Sequence, residues 1–249
     1  MRAYKRTNPM RRNMSESVPK LVAYNTYFKQ ELPVYYVDDY VTVYDDLLTP
    51  LSKLMKKRIR NHYQNTVLVE GRTGSGKSTI GVQLCQLLSK DWDLDNDYIY
   101  GSKDLKQKLK NPGACPVSLL DEGSVSLNSY NSQKTDDKML TILMDTWRSL
   151  GKTTIICMPN RNDLNKRVRI NHLDYLVKCP VESPIPGRPA RGFFTLYIHE
   201  YRDWADDWWK PIGTSRFGKM DKKTQAQYDR IKLEHQMVLM EKYADSDDE

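Results

Sequence analysis

The sequence has little of what marks secreted, membrane-spanning and metal-binding proteins. Its four cysteines, Cys85, Cys115, Cys157 and Cys179, are far apart and form no C-x-x-C pair. Each lies in or beside an apolar run, which favours reduced core thiols over disulfides or a metal site. No apolar stretch approaches the roughly 20 residues that cross a bilayer, and the basic N-terminus lacks the apolar segment of a secretory signal. These absences predict a cytoplasmic protein without membrane association.

Charge is present in excess on the basic side. The 249 residues carry a formal net charge of +7, and this length suits one α/β domain with tails. Basic residues gather in the N-terminal arm, in Lys53–Arg60 and in Arg161–Arg169, whereas residues 245–249 are acidic. Such clusters suit a polyanion such as nucleic acid. An ordinary solvated surface is the alternative, and composition does not decide between the two.

The most informative pattern is G-x-x-x-x-G-K-[ST], which residues 71–78 fit without a mismatch; they follow the apolar run 66–69. Its glycines let the backbone curl so that N–H groups point at a phosphate. Lys77 adds a positive charge toward the β- and γ-phosphates, and the Ser78 hydroxyl can bind Mg²⁺. A helix beginning near Lys77 would direct the positive end of its dipole at the same anion. The pattern predicts ATP and Mg²⁺ as cofactors, with the nucleotide bound by Gly71, Arg72, Thr73, Gly74, Ser75, Gly76, Lys77, Ser78 and Thr79.

A second pattern predicts that the bound nucleotide is hydrolysed. The buried-strand pattern 116–120 ends in Asp121 and Glu122, 44 residues beyond Lys77. In P-loop ATPases an Asp at this strand tip holds the Mg²⁺ shell, and the Glu beside it takes a proton from the attacking water. Asp121 and Ser78 are therefore the predicted metal-site residues, and Glu122 is the predicted general base.

Further catalytic candidates lie on both sides of the next apolar strand, 153–158. Asn160 stands at its tip, where a polar side chain contacts the γ-phosphate or its water; a simple Pro-Asn turn is the alternative. Phosphoryl transfer also gains from an arginine, which a neighbouring subunit often supplies. Arg148, beside an apolar helical stripe, is the first candidate for that role, and Arg167 and Arg169 are the others. For each of them a surface or DNA-facing charge is the alternative.

The order of apolar patterns predicts the fold class. Strands are predicted at 65–70, 97–100, 116–121, 153–158 and 174–178, with helices at 77–90, 103–110, 136–150 and 162–168. This alternation predicts parallel βαβ units. The expected fold is α/β: a RecA/ASCE-like P-loop NTPase whose mostly parallel sheet is flanked by helices, with an N-terminal extension and a C-terminal helical tail. We divide the chain into a basic arm with short strands (1–46), the ATPase core (47–201), and an aromatic-rich segment with a C-terminal helix and acidic tail (202–249).

Together these motifs resemble the HerA/FtsK-type ATPases over about residues 60–200. The resemblance rests on the P-loop at 71–78, the Asp121-Glu122 tip, the strand closing at Asn160 and the run 174–177. Among such ATPases the chain is most similar to small viral and phage genome-packaging ATPases and to zonula-occludens-toxin-like proteins. The resemblance implies a pentameric or hexameric homo-oligomeric ring in the host cytoplasm. Such a ring hydrolyses ATP, moves double-stranded DNA through its pore, and docks on a capsid portal or similar protein.

Two other classes of function remain open. Residues 166–169 could form the basic lid of a P-loop small-molecule kinase. A nucleotide-gated assembly protein would bind ATP without using Glu122 as a catalyst. The first interpretation of the sequence is nevertheless an ATP-hydrolysing DNA translocase, specifically a viral genome-packaging motor.

Overall fold

A computed structural model describes residues 21–37, 41–121, 133–164, 166–202 and 205–244. The strands in these ranges are β1 (Val22–Asn25), β2 (Gln30–Val37), β3 (Thr42–Tyr44), β4 (Asn65–Glu70), β5 (Tyr98–Tyr100), β6 (Val117–Asp121), β7 (Thr153–Met158), β8 (Tyr175–Lys178), β9 (Phe193–Arg202) and β10 (Ala205–Arg216). The helices are α1 (Leu48–Arg60), α2 (Lys77–Leu88), α3 (Leu94–Asp97), α4 (Gly101–Lys110), α5 (Gln133–Ser149), α6 (Lys166–Asn171) and α7 (Lys222–Ala244), with a 3₁₀ turn at Arg161–Asp163.

All ten strands belong to one sheet, in the order β1-β2-β3-β10-β9-β8-β4-β7-β6-β5. The pairs β8–β4, β4–β7, β7–β6 and β6–β5 are parallel, and β9 and β10 add an antiparallel hairpin beside β8. Strand β7 stands between β4 and β6, so the two strands that carry the P-loop and Asp121 are not neighbours. This is the strand order of a RecA/ASCE-like P-loop NTPase, and it confirms the predicted fold class.

Two hydrophobic layers cover the parallel strands. Side chains alternate between the faces of a strand, so Val67 and Val69 contact one cluster with α1, α2 and α7. Leu68 and Ile156 contact the other cluster, which includes residues of α4, α5 and α6. Burial on both faces explains why the central strands are continuous apolar runs without alternation.

Helix α1 leads the chain from the P-loop edge of the sheet to the opposite edge. Its apolar residues Leu48, Leu51 and Met55 are buried. Its last turn is basic, which suits the negative end of the helix dipole. Arg58 donates a hydrogen bond to Asp174 at 2.8 Å, and Asp174 also accepts from the backbone N–H of Thr66 at 2.8 Å. One member of the predicted basic cluster is thus used to join α1 to β4 and to the start of β8.

The predicted strands of the core are confirmed to within one residue. Helix α5 begins three residues before its predicted start, and α6 (Lys166–Asn171) lies four residues beyond the predicted start at 162. The sheet takes strands from all three predicted parts of the chain, and the predicted division itself stays a prediction. No helix in the described ranges combines the length and the apolarity that spanning a bilayer requires.

Candidate nucleotide site

The P-loop turns between β4 and α2 through two residues with left-handed backbone. Gly74 has a φ of +78° and Gly76 a φ of +100°, conformations that disfavour residues with a Cβ atom. The N–H of Ser75 donates to the carbonyl of Arg72 at 3.1 Å, which closes the turn. The N–H of Gly71 donates to the carbonyl of Met158 at 3.3 Å. The start of the loop is thereby tied to the end of β7.

Neighbouring side chains leave no room for larger residues at two of the loop glycines. A Cβ atom on Gly71 would lie 2.8 Å from the Cβ of Cys179, and one on Gly76 would lie 2.6 Å from the Cζ of Phe217. Burial raises the pKa of the Cys179 thiol to about 11, although Ser75 and Lys77 act in the opposite direction. The thiol beside the loop is therefore neutral at pH 7 and acts as packing.

The P-loop lysine lies across its own loop. The ammonium of Lys77 donates a hydrogen bond to the carbonyl of Arg72 at 3.1 Å, and the side chain is half-buried. Helix α2 begins at Lys77, and the N–H of Ile80 donates to the carbonyl of Gly76 at 3.1 Å. The positive end of the α2 dipole thus lies at the loop, as the sequence pattern predicted. Arg72, Thr73 and Gly74 are exposed, and Thr79 lies in the first turn of α2.

The two predicted metal-site residues are in contact. The Ser78 hydroxyl donates to Oδ1 of Asp121 at 3.1 Å, although 43 residues separate them in the sequence. Asp121 is 1% exposed at the end of β6. A hydroxyl and a carboxylate are hard oxygen ligands, and Mg²⁺ in nucleotide sites is bound through few such groups together with phosphates and water. The residues present therefore fit a magnesium-nucleotide complex.

Two tyrosine hydroxyls also bind Asp121, and sequence reasoning missed both. Tyr98 on β5 donates to Oδ2 at 3.2 Å, and Tyr228 on α7 donates to the same oxygen at 2.8 Å. Burial first, and the Asp121 charge second, raise the pKa of both tyrosines well above the ordinary value. Both hydroxyls are therefore protonated donors at neutral pH. The only sequence signal for Tyr228 was its place among the apolar residues of the C-terminal helix.

Asn160 follows β7, the strand between β4 and β6. Its side chain accepts a hydrogen bond from the N–H of Asn162 at 3.0 Å and caps the 3₁₀ turn. The residue is exposed at the same edge of the sheet as the P-loop, since Met158 two positions earlier contacts Gly71. Asn160 therefore forms the turn that was the alternative to its γ-phosphate role. The γ-phosphate role stays a prediction.

The three arginine candidates lie on α5 and α6. Arg148 is exposed at the end of α5, and it lies near the start of β7 because its carbonyl accepts from Gly151 at 3.2 Å. Six residues of β7 place it roughly 20 Å from the P-loop edge of the sheet. It could act only at the site of a neighbouring copy, as its predicted role requires. Arg169 donates to Asn162 at 2.8 Å, and Arg167 is exposed on α6.

Glu122 and most of the polar loop after it, residues 122–132, lie outside the described residues. Its predicted role as general base is therefore a prediction from the sequence alone. Asp121 precedes Glu122 and ends β6. Ile156 of β7 pairs with Leu120 of β6 on one side and with Leu68 of β4 on the other. Asp121 is therefore at the level of the last residues of the P-loop strand.

Comparisons with known proteins return structural matches only. No family model matches the sequence, and no curated protein matches it. The N-terminal domain of zonular occludens toxin from Neisseria meningitidis is 13% identical, with a TM-score of 0.38 over 64% of this chain and 96% of that one. A KaiC-like protein from Pyrococcus horikoshii is 12% identical, with a TM-score of 0.37 over 62% and 89%.

The replication initiator DnaA bound to AMPPCP and single-stranded DNA is 17% identical, with a TM-score of 0.37 over 60% of this chain and 49% of that one. At these identities and TM-scores the matches carry no argument about function. The functional conclusion therefore depends on the site itself.

Proposed function

We propose that the chain hydrolyses ATP at the P-loop and uses the reaction to move double-stranded DNA, as a homo-oligomeric ring that packages a viral genome. The observation that carries the ATPase part is the 3.1 Å contact between Ser78 and Asp121 at the first turn of α2. It joins the two predicted ligands of Mg²⁺, one at the start of α2 and one at the end of β6, although β7 separates β6 from the P-loop strand β4. Hydrolysis at such a site depends mainly on positioning and electrostatic stabilisation of the phosphates.

Each predicted residue has a distinct part in this proposal. Lys77 and the loop amides would hold the phosphates, and Ser78 and Asp121 would hold Mg²⁺. When bound, the ion neutralises charge on the β- and γ-phosphate oxygens. Glu122 would accept a proton from water, and Asn160 would orient that water or the γ-phosphate. Arg148 of a neighbouring copy is the first candidate for the arginine that completes the site.

The DNA part of the proposal is supported by the distribution of positive charge. Lys53, Lys56, Lys57 and Arg60 are exposed along α1, while Arg58 of the same cluster is engaged with Asp174. Exposed cations that reach phosphates bind DNA of any sequence, and such binding weakens steeply with salt. This is the behaviour that a motor without sequence preference requires.

The kinase alternative gains no support from its proposed lid. Val168 in the middle of residues 166–169 is fully buried against the sheet-covering cluster of α5 and α6. The Arg169 guanidinium is bonded to Asn162 on the preceding turn. A lid must open and close over its acceptor, whereas Val168 anchors this segment to the core although Lys166 and Arg167 are exposed.

The first test is steady-state ATPase activity with and without linear double-stranded DNA, at low and moderate salt. We expect several-fold stimulation that fades as salt is added, and Glu122→Gln should bind ATP but lose nearly all turnover. Lys56→Ala/Lys57→Ala should reduce the stimulation. Lys106→Ala/Lys110→Ala removes the same charge from exposed positions of α4 and should not reduce it. Turnover that DNA leaves unchanged would refute the translocase and favour a kinase or a nucleotide-gated assembly protein.

A further inference from the structure

The carboxylate of Asp121 is held at both of its oxygens. Oδ1 accepts from Ser78 at 3.1 Å, and Oδ2 accepts from Tyr98 at 3.2 Å and from Tyr228 at 2.8 Å. A carboxylate on a short side chain can rotate about its last bond. Donors on Oδ2 restrict that rotation and keep Oδ1 directed at the P-loop serine.

The two tyrosines form a rigid pair. Their ring centroids are 6.0 Å apart with an interplanar angle of 87°, an edge-to-face arrangement. Both side chains are buried, at 6% and 7% exposed. Because the rings pack against each other, neither ring can move away from Asp121 without disturbing the other.

Helix α7 is fixed at the position that this contact requires. The Gln86 side chain donates to Thr224 at 3.1 Å, and the Gln227 side chain donates to Asp95 at 2.8 Å. Arg230 forms an ion pair with Asp95 at 2.6 Å. Contacts with α2 on one side and α3 on the other therefore bracket Tyr228 along the helix.

We propose that Tyr98 and Tyr228 are positioning residues for the Mg²⁺ half of the nucleotide site, so that helix α7 is part of that site. The proposal rests on Mg²⁺–ATP binding as proposed above, and it does not depend on DNA. The two hydroxyls orient the Asp121 carboxylate through Oδ2, which leaves Oδ1 beside Ser78 for the metal and its water. Groups that orient a metal ligand in this way contribute strongly to metal affinity.

The test compares nucleotide binding with and without the metal. A fluorescent, non-hydrolysable ATP analogue is titrated into the full chain in Mg²⁺ and again in EDTA. Tyr228→Phe keeps the ring and removes only the hydroxyl. We expect it to weaken binding in Mg²⁺ by about tenfold or more and to leave binding in EDTA unchanged within about twofold. Tyr98→Phe should act in the same direction.

Tyr175→Phe is the matched control, because it also removes a buried tyrosine hydroxyl, one that interacts with Tyr27. Tyr175 lies on β8, which pairs with β4 on the side away from β7 and β6. It should leave the ratio of the two affinities unchanged, and melting temperatures would show that every variant is folded. An unchanged ratio in Tyr228→Phe overturns the proposal. Equal losses in Mg²⁺ and EDTA also overturn it, since they indicate a structural role only.

Tighter binding of Tyr228→Phe in Mg²⁺ would overturn the proposal in a third way, because it would mean that the hydroxyl obstructs the metal. If the unaltered chain fails to bind the analogue in Mg²⁺, this inference and the proposed ATPase fail together. If the unaltered chain binds it and only the expected effect of Tyr228→Phe is missing, the ATPase proposal stands and this inference alone fails.

Discussion

Two glycines of the P-loop allow backbone strain and steric crowding to be separated. Gly74 and Gly76 both have positive φ, at +78° and +100°. A Cβ atom on Gly74 would meet nothing within 4 Å, whereas one on Gly76 would lie 2.6 Å from the Cζ of Phe217. Gly74→Ala therefore introduces strain alone, and Gly76→Ala introduces strain together with a clash.

The expected losses of stability differ accordingly. Left-handed backbone costs a residue with a Cβ atom about 1–2 kcal/mol, which is the expected cost of Gly74→Ala. Gly76→Ala carries the same strain of about 1–2 kcal/mol, because the Gly76 backbone is also left-handed, and displacing the Phe217 ring adds about 1–3 kcal/mol. For a domain of this size each kcal/mol lowers the melting temperature by about 2–4 °C. Gly76→Ala should therefore lower the melting temperature clearly more than Gly74→Ala.

A double-mutant cycle tests the assignment of the extra cost to Phe217. Melting temperature and urea midpoint would be measured for Gly76→Ala in the natural background and in Phe217→Ala. Removing the ring should reduce the cost of Gly76→Ala to about that of Gly74→Ala, since only backbone strain remains. The reasoning is refuted if Gly76→Ala costs the same with and without the ring, or if Gly74→Ala is equally damaging.

Two further predictions concern buried ionisable side chains near the opposite edge of the sheet. Lys152, 6% exposed, donates to three carbonyls of the 112–115 turn at 2.6, 2.6 and 2.9 Å. Lys152→Met should lower the free energy of unfolding by about 1.5–3 kcal/mol, measured by urea denaturation. An unchanged urea midpoint would contradict this prediction. Burial, aided by Arg148 and Arg167 and opposed by Asp145, lowers the pKa of His172 below its ordinary value of 6.5. The unfolded chain therefore binds the proton more readily, and stability should fall as pH drops through about 6.5. His172→Gln should flatten that part of the urea-midpoint profile, and an equally steep profile would contradict the assignment.

The central strands could be predicted because their physical constraints are local. Strands β4, β6 and β7 are short continuous apolar runs, as expected where helices cover both faces of a parallel sheet. The P-loop adds a fixed spacing of glycine, lysine and serine that specifies a strand before it and a helix after it. These signals predicted Ser78 and Asp121 as the metal-site residues, and the structure places the two side chains 3.1 Å apart.

Strand β10 could not be predicted in the same way. Strand β10 contains Pro211 and Gly213, residues that weaken a strand pattern, and its pairing with β9 shifts register between them. Its position depends on pairing with β9 on one side and β3 on the other. Such pairings join distant parts of the chain, and periodicity in one segment does not contain that information.

The apolar pattern of the C-terminal helix was also ambiguous. Tyr228 and Ile231 are buried, whereas Leu233, Met237 and Met240 are more than half exposed. Periodicity shows which residues share a helix face, but not how far along the helix its supporting surface extends. The hydroxyl contact of Tyr228 with Asp121 depends on that docking position, so no sequence pattern could have predicted it.

The C-terminal segment therefore contacts both halves of the candidate nucleotide site. Phe217 packs against Gly76 of the P-loop. The Gln83 side chain of α2 donates to the carbonyls of Gly218 and Lys219 at 3.0 and 3.2 Å. Tyr228 donates a hydrogen bond to Asp121. Both the phosphate half and the metal half of the site thus contact residues that follow the sheet. By linkage, any ligand that binds better when α7 is docked must also favour the docked helix. If the chain forms the proposed ring, contacts that shift α7 in one copy should for the same reason change the nucleotide affinity of that copy.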